Sequence, residues 1–300
     1  MKPHDGVILD AVFSDDGTYV ATLTNHDTVM VSRSDDGVEV MHLEPALEGS
    51  TGVIFSPTGD HLLVHGAGEI GVWRVASPDQ PILRGPGRIS GPHIVLLVGS
   101  QVQIGRLDHP EHLKPLPGRI EPPNLGFKAD VPSTGKHVVV VHDNGTAWVW
   151  RADGTGKPRM LQVAKRLIPS TARAEALNIR DALFSPDGSQ VLLVLDPGAI
   201  AVWPLAADQP TVMLSQEGPI DMASFSPDGS HILAISRDGR IQVFASDGSF
   251  RARKLRPPTT IRQQAGFLVN GDVVTDAADN TVRVWDLDEE FNTLRTRRRK

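Results

Sequence analysis

The chain has 300 residues, 40% hydrophobic and 22% charged, with a formal net charge of −6. These are ordinary values for a globular fold, and the length permits a sizeable core. There is no cysteine, which excludes disulfides, thiolate nucleophiles and zinc–thiolate sites. No apolar run follows a basic region at the start and none reaches membrane-spanning length, so a cytoplasmic location without membrane or nucleic-acid partners is expected.

Taken in order, the chain repeats one turn. It occurs as Phe13-Ser14-Asp15-Asp16-Gly17, Phe55-Ser56-Pro57-Thr58-Gly59, Phe184-Ser185-Pro186-Asp187-Gly188 and Phe225-Ser226-Pro227-Asp228-Gly229. Looser copies are Val131 to Gly135 and Phe267 to Gly271. Proline presets the first central dihedral, aspartate bonds nearby backbone, and glycine takes the positive φ. The glycines at 17, 59, 135, 188, 229 and 271 are 42, 76, 53, 41 and 42 residues apart. The gap of 76 holds two units, so the spacing predicts seven repeats of about 40–45 residues, each of four strands. The predicted fold is all-β, a single seven-bladed propeller of four-stranded antiparallel blades.

The third strands carry the period independently. Trp73, Trp150, Trp203, Phe244 and Trp285 each end an alternating run, with Ser32 and Gly105 in the same place in two other units. The predicted blades are 4–44, 46–84, 86–117, 119–163, 175–214, 216–256 and 258–296, with an insertion at 164–174 and a basic tail at 297–300. The third is degenerate, its first strand reduced to Gly87-Arg88-Ile89-Ser90 before Pro92. Phe291 to Thr296 is expected to supply the last blade's outer strand, leaving no strand exchanged between the two ends of the chain.

These residues resemble the WD-repeat β-propeller family, in a divergent, bacterial-type form. The last unit, Asp279-Asn280-Thr281-Val282-Arg283-Val284-Trp285-Asp286, is similar to the family's closing motif, and Asp238 stands before Phe244 at the same offset. His4 matches the family's blade-opening histidine; other units have Ala46, Glu175, Gln216 or Pro258 there. The resemblance implies a non-catalytic, monomeric scaffold or sensor platform that binds other proteins or another domain of the same polypeptide, propellers of this type often being joined to signalling modules. By position it nominates Arg180, Asp221, Arg237 and Gln263 for partner contact. The alternative is the propeller half of a hydrolase, or a small-ligand-binding propeller. Peptidase propellers share Ser-Pro-Asp-Gly turns but usually close the third strand on tyrosine, and this chain has one tyrosine.

Other motifs have weaker chemistry. Gly66-Ala67-Gly68-Glu69-Ile70-Gly71 satisfies a dinucleotide pattern but lies between two predicted strands, without the helix that the chemistry needs. Gly154-Thr155-Gly156-Lys157 reads as a turn. His61 and His65 fall about 13 Å apart on one strand, too far to share an ion. His109 and His112, in a predicted loop with Glu111, could share an ion, but no further ligand is evident, so no metal and no cofactor are expected. His26, His65 and His142 recur near second-to-third turns, and Trp148 reads as an aromatic packed between blades. Asp15-Asp16, Asp35-Asp36 and Glu289-Glu290 read as solvated turn residues rather than acid–base pairs.

Deleting residues 291–300 should clearly lower the melting temperature measured by calorimetry, and an unchanged melt would reject the outer-strand assignment.

Overall fold

The computed structural model describes residues 5–120, 127–142, 144–163, 178–196, 198–208, 210, 212–215, 218–249, 253–255, 261–277, 281–287 and 295–297. Every regular element there is a strand. The first sheet is β1 (Ile8–Phe13), β2 (Tyr19–Thr24), β3 (Val29–Arg33) and β4 (Glu39–Leu43). Next come β5 (Ser50–Phe55), β6 (His61–Gly66), β7 (Glu69–Arg74), β8 (Leu83–Ser90), β9 (His93–Val98), β10 (Gln101–Arg106) and β11 (His109–Pro115). A third sheet holds β12 (Phe127–Asp130), β13 (His137–His142), β14 (Ala147–Arg151) and β15 (Arg159–Leu161). A fourth holds β16 (Ile179–Phe184), β17 (Gln190–Leu195), β18 (Ala199–Pro204) and β19 (Val212–Ser215). Then follow β20 (Ile220–Phe225), β21 (His231–Ser236), β22 (Ile241–Ala245) and β23 (Arg253–Leu255). The last sheet is β24 (Ile261–Phe267), β25 (Val273–Ala277), β26 (Val282–Trp285) and β27 (Arg295–Arg297).

Among the described residues, neighbours in every sheet are also neighbours in sequence, giving five four-stranded sheets and one of seven strands. No helix is long and apolar enough to cross a membrane. Two compact units are distinguished: Met1–Ala129 with Trp150–Pro158, and Asp130–Val149 with Arg159–Lys300.

In the seven-stranded sheet the expected short first strand, Gly87-Arg88-Ile89-Ser90, pairs with β9. It is not a separate strand, however, but the second half of the eight-residue β8, which begins at Leu83 and passes through Pro86. Its first half pairs with β7, from Val72↔Leu83 to Glu69↔Pro86, and its second half with β9, from Gly87↔Leu96 to Ser90↔His93. A single strand closes one repeat and opens the next. Proline is tolerated because the change of partner falls between Pro86 and Gly87, and the close packing of Ile70 and Leu96 there leaves no room for a Cβ on Gly87.

Turn chemistry places the strands. Ser226 Oγ donates to Asp228 Oδ1 and accepts from His231 N at 2.9 Å, while Ser230 N donates to Asp228 Oδ1 at 3.0 Å. The same arrangement joins Ser14, Asp16, Thr18 and Tyr19, and again Ser185, Asp187, Ser189 and Gln190. Gly229 adopts φ +74° as the turn requires. The hydroxyl donors hold the Asp16 and Asp228 carboxyls down at about 2, so Asp16, read as a solvated acid, is a built part of its turn.

Second strands are the core. Within β2, β6, β9, β13, β17 and β21 at least four consecutive residues are buried, as in strands covered on both faces. In the first unit Leu23, Val31, Val53, Leu62, Val64 and Trp73 pack together. In the second, Val139, Val191, Leu193 and Trp203 form one cluster and Leu192, Ile200, Ile232 and Phe244 another. Full burial of such side chains contributes roughly 1.5–3 kcal/mol each. Two turn phenylalanines are covered by the repeat before them, Phe55 by Tyr19 and Phe184 by His137, with ring centroids 6.3 Å apart in both pairs, whereas Phe13 is exposed.

Outer strands reach forward. Lys114 Nζ donates to Asp153 O, Arg159 Nη1 to Leu205 O (3.1 Å) and Ala207 O (2.9 Å), and Arg253 Nη1 to Leu287 O (3.0 Å). Each binds carbonyls beyond the end of a later third strand. At the C-terminal side β27 pairs with β26 as an outer strand, through Val284↔Arg295, Arg283↔Thr296 and Val282↔Arg297. It therefore includes Arg297, which the sequence reading gave to the tail. His4, Asp279, the insertion 164–174 and residues 291–294 lie outside the described residues.

The dinucleotide-like glycines have structural causes. A Cβ on Gly66 would strike the backbone carbonyl of Gly49, one on Gly71 would strike the Trp73 ring, and Gly68 has φ +89°. Gly85 faces open space. Gly66→Ala and Gly71→Ala should each cost about 1–3 kcal/mol in urea unfolding, and Gly85→Ala less than about 0.5 kcal/mol; equal costs at all three would refute this.

Candidate functional site

The first strands of four sheets are irregular at the same place. Ile8 pairs with Thr24 but Asp10 with Leu23, so Leu9 is an extra residue. Thr51, Arg180 and Asp221 are extra in the same way, between Ser50/Gly52, Ile179/Asp181 and Ile220/Met222. Such a bulge sets two residues against one, sharpens the twist and re-aims a side chain. Arg180 and Asp221, nominated from repeat position, are thus bulge residues, each four before the turn phenylalanine. Gln263 has the same offset and falls within the shift between Ile261↔Ala277 and Ala265↔Thr275.

Each bulge lies beside its sheet's second-to-third turn. Asp196 N donates to Asn178 O and Arg237 N to Pro219 O, both at 3.0 Å. Asn25 N donates likewise to Val7 O at 2.9 Å. The bulge side chain can therefore reach the turn side chain, and two sheets use the contact with reversed charge. Arg180 Nη1 lies 3.7 Å from Asp196 Oδ1, and Arg237 Nε lies 3.3 Å from Asp221 Oδ1. Asp196 was not singled out from sequence. The signal was present: Asp196 and Arg237 each stand seven before the third-strand aromatic, with opposite charge.

Exposure divides the four. Arg237 is the most open, at 66%, and Arg180 the least, at 29%. Ion pairs this exposed contribute about 0.2–1 kcal/mol, so their consequence is to fix polar groups at one edge rather than to hold the fold. A guanidinium facing a carboxylate offers bidentate recognition of peptide or side-chain groups, with no nucleophile–base arrangement in either pair.

The remaining nominated residues are architectural. Trp73, Trp150, Trp203, Phe244 and Trp285 all lie on third strands. In place of a repeated side-chain network, Trp150 Nε1 donates to Pro117 O (2.8 Å), Trp203 Nε1 to Ala207 O (2.9 Å) and Trp285 Nε1 to Thr275 Oγ1 (3.1 Å). Asp238 accepts from Ser236 Oγ, which lowers its pKa, and sits 3.1 Å from Arg240 Nε. Trp148 is half-buried opposite Met160, and its counterparts Gln242 and Arg283 are buried polar residues. His26 is exposed, His65 intermediate and His142 buried, so the three do not form a common set of accessible groups. His109 and His112, expected in a loop, belong to strand β11.

Residues 210–245 match the model of the WD domain, G-beta repeat, a span that includes Asp221, Arg237, Asp238 and Phe244. No curated protein matches the sequence. Among solved structures the chain is similar to the computationally designed Ika8 protein, at 17% identity and TM-score 0.60, over 97% of this chain and 87% of that one. That likeness concerns the fold.

A double-mutant cycle on Arg180→Ala and Asp196→Ala should give a coupling of about 0.2–1 kcal/mol in urea unfolding; strict additivity would remove the pair.

Proposed function

We propose that this WD-repeat protein is a non-catalytic interaction platform, a seven-bladed ring whose partner docks on the bulged edge. Support for the blade count comes from β8: dividing the seven-stranded sheet at its shared strand yields two four-stranded repeats beside the five separate ones. WD repeats generally mediate protein–protein association, and the family match covers the repeat that carries Asp221 and Arg237. The observation that carries the reading is the reversed pair, Arg180–Asp196 and Asp221–Arg237, at equivalent bulges. Position and contact are retained while sign alternates, which gives one edge a charge pattern that a partner can recognise.

The test is capture of interacting proteins by wild type and by the triple variant Arg180→Ala, Asp221→Ala, Arg237→Ala. Capture should fall about tenfold or more, the loss of roughly 1.4 kcal/mol of binding, with an unchanged melting temperature. Asp15→Ala, at a first-to-second turn, should bind as wild type does. Undiminished capture by the triple variant rejects this edge as the docking surface.

A further inference from the structure

A second group of side chains, in the first unit, has ligand chemistry that the bulged edge does not use. His109, Glu111 and His112 bring donor atoms within 4.8 Å of one another. A regular strand would send neighbouring side chains to opposite faces. Here β11 is not regular. Ile104 pairs with Lys114 and Arg106 with His109, so residues 110–113 oppose Gly105 alone. Gly105 permits this, because a Cβ there would lie 2.6 Å from Leu113 Cδ2 and 3.3 Å from His112 O. The widened segment gathers both imidazoles around Glu111: His109 Nδ1 and His112 Nδ1 are each 4.0 Å from Glu111 Oε1.

His61 supplies an independent observation. It opens β6, and its side chain is only 9% exposed. Neither ring nitrogen makes a hydrogen bond, and Nε2 stops 3.7 Å from Glu111 Oε2. A buried polar atom without a partner is costly. Two ligand atoms on a tetrahedral zinc lie roughly 3.3 Å apart, given bonds of about 2.0–2.1 Å. Glu111 lies 3.7–4.0 Å from a nitrogen of each of the three imidazoles, which makes it the group around which the others gather.

We infer that His61, His109, Glu111 and His112 bind one divalent transition-metal ion, with Zn2+ the best fit. Three imidazoles and one carboxylate suit zinc, whereas Mg2+ and Ca2+ require oxygen ligands. Four protein ligands fill a tetrahedral shell, which makes the site structural rather than catalytic. The ion ties the outer strand β11 to β6, with four strands between them in the same sheet order. The sequence could not indicate this, because His61 and Glu111 are separated by most of two repeats.

The test is Zn2+ titration of the chelator-treated full chain by calorimetry, with bound metal counted by mass spectrometry. One equivalent should bind, and Co2+ should give a tetrahedral visible spectrum. His61→Ala and His112→Ala should each weaken binding at least about tenfold. Zn2+ should raise the melting temperature of wild type and not of the variants. His112 is 76% exposed, so its replacement should fold and decides the question if His61→Ala does not. His42→Ala, an exposed histidine on β4, should bind as wild type. Absence of stoichiometric Zn2+ binding, or full affinity in either variant, overturns the assignment.

Discussion

A buried serine hydroxyl at the first-to-second turn is the constraint on which the repeats depend. Ser14, Ser56, Ser185 and Ser226 are all buried, and each hydroxyl accepts from the backbone N–H five residues ahead. That bond fixes where the second strand starts relative to the first. A slip of one residue would turn every side chain of the second strand to the other face. Because second strands are the most deeply buried elements, the register set at the turn decides whether the core can form. Three of the four turns use aspartate as acceptor for the hydroxyl; in the other Ser56 meets Thr58 at 3.2 Å.

The turns define each repeat, but other contacts join successive repeats within a unit. Asp10 Oδ2 accepts from Val53 N at 3.1 Å, and Asp27 accepts from Gly49 N and Ser50 N at 2.9 and 2.8 Å. Asp130 Oδ2 accepts from Phe184 N at 2.7 Å, and Ser133 Oγ donates to Pro186 O at 3.0 Å. Arg159 adds a guanidinium 5.8 Å from the Trp203 ring centroid. Apolar packing supplies most of the attraction, while these directional bonds set the spacing between neighbouring sheets.

The sequence was most legible where local chemistry determines the answer. Ser-Pro-Asp-Gly turns and third-strand aromatics placed the strands because both signals act over a few residues. The bulges at Arg180 and Asp221 were not legible as bulges, since an extra residue in a strand carries no mark of its own. Their ionic partners were accessible only by comparing offsets across repeats, which would have paired Arg180 with Asp196. The contact of His61 with Glu111 depends on the irregular start of β11 meeting the start of β6 in space, beyond the reach of any periodic pattern. In the third repeat the four residues of the inner strand were legible, but their continuity with the preceding outer strand was not, because the usual loop between the two is absent.

That shared strand has a consequence for how the chain can be rearranged. Elsewhere each sheet owns its strands, so a duplication, loss or circular permutation could divide the chain between sheets and leave both sides intact. Between Pro86 and Gly87 the chain changes partner without a single connecting residue. A cut there leaves Leu83–Pro86 paired with β7 and Gly87–Ser90 paired with β9, but no loop in which an insertion could be absorbed or new ends could be placed. Residues 50–115 are therefore two repeats joined edge to edge, where the other repeats are joined by connecting segments.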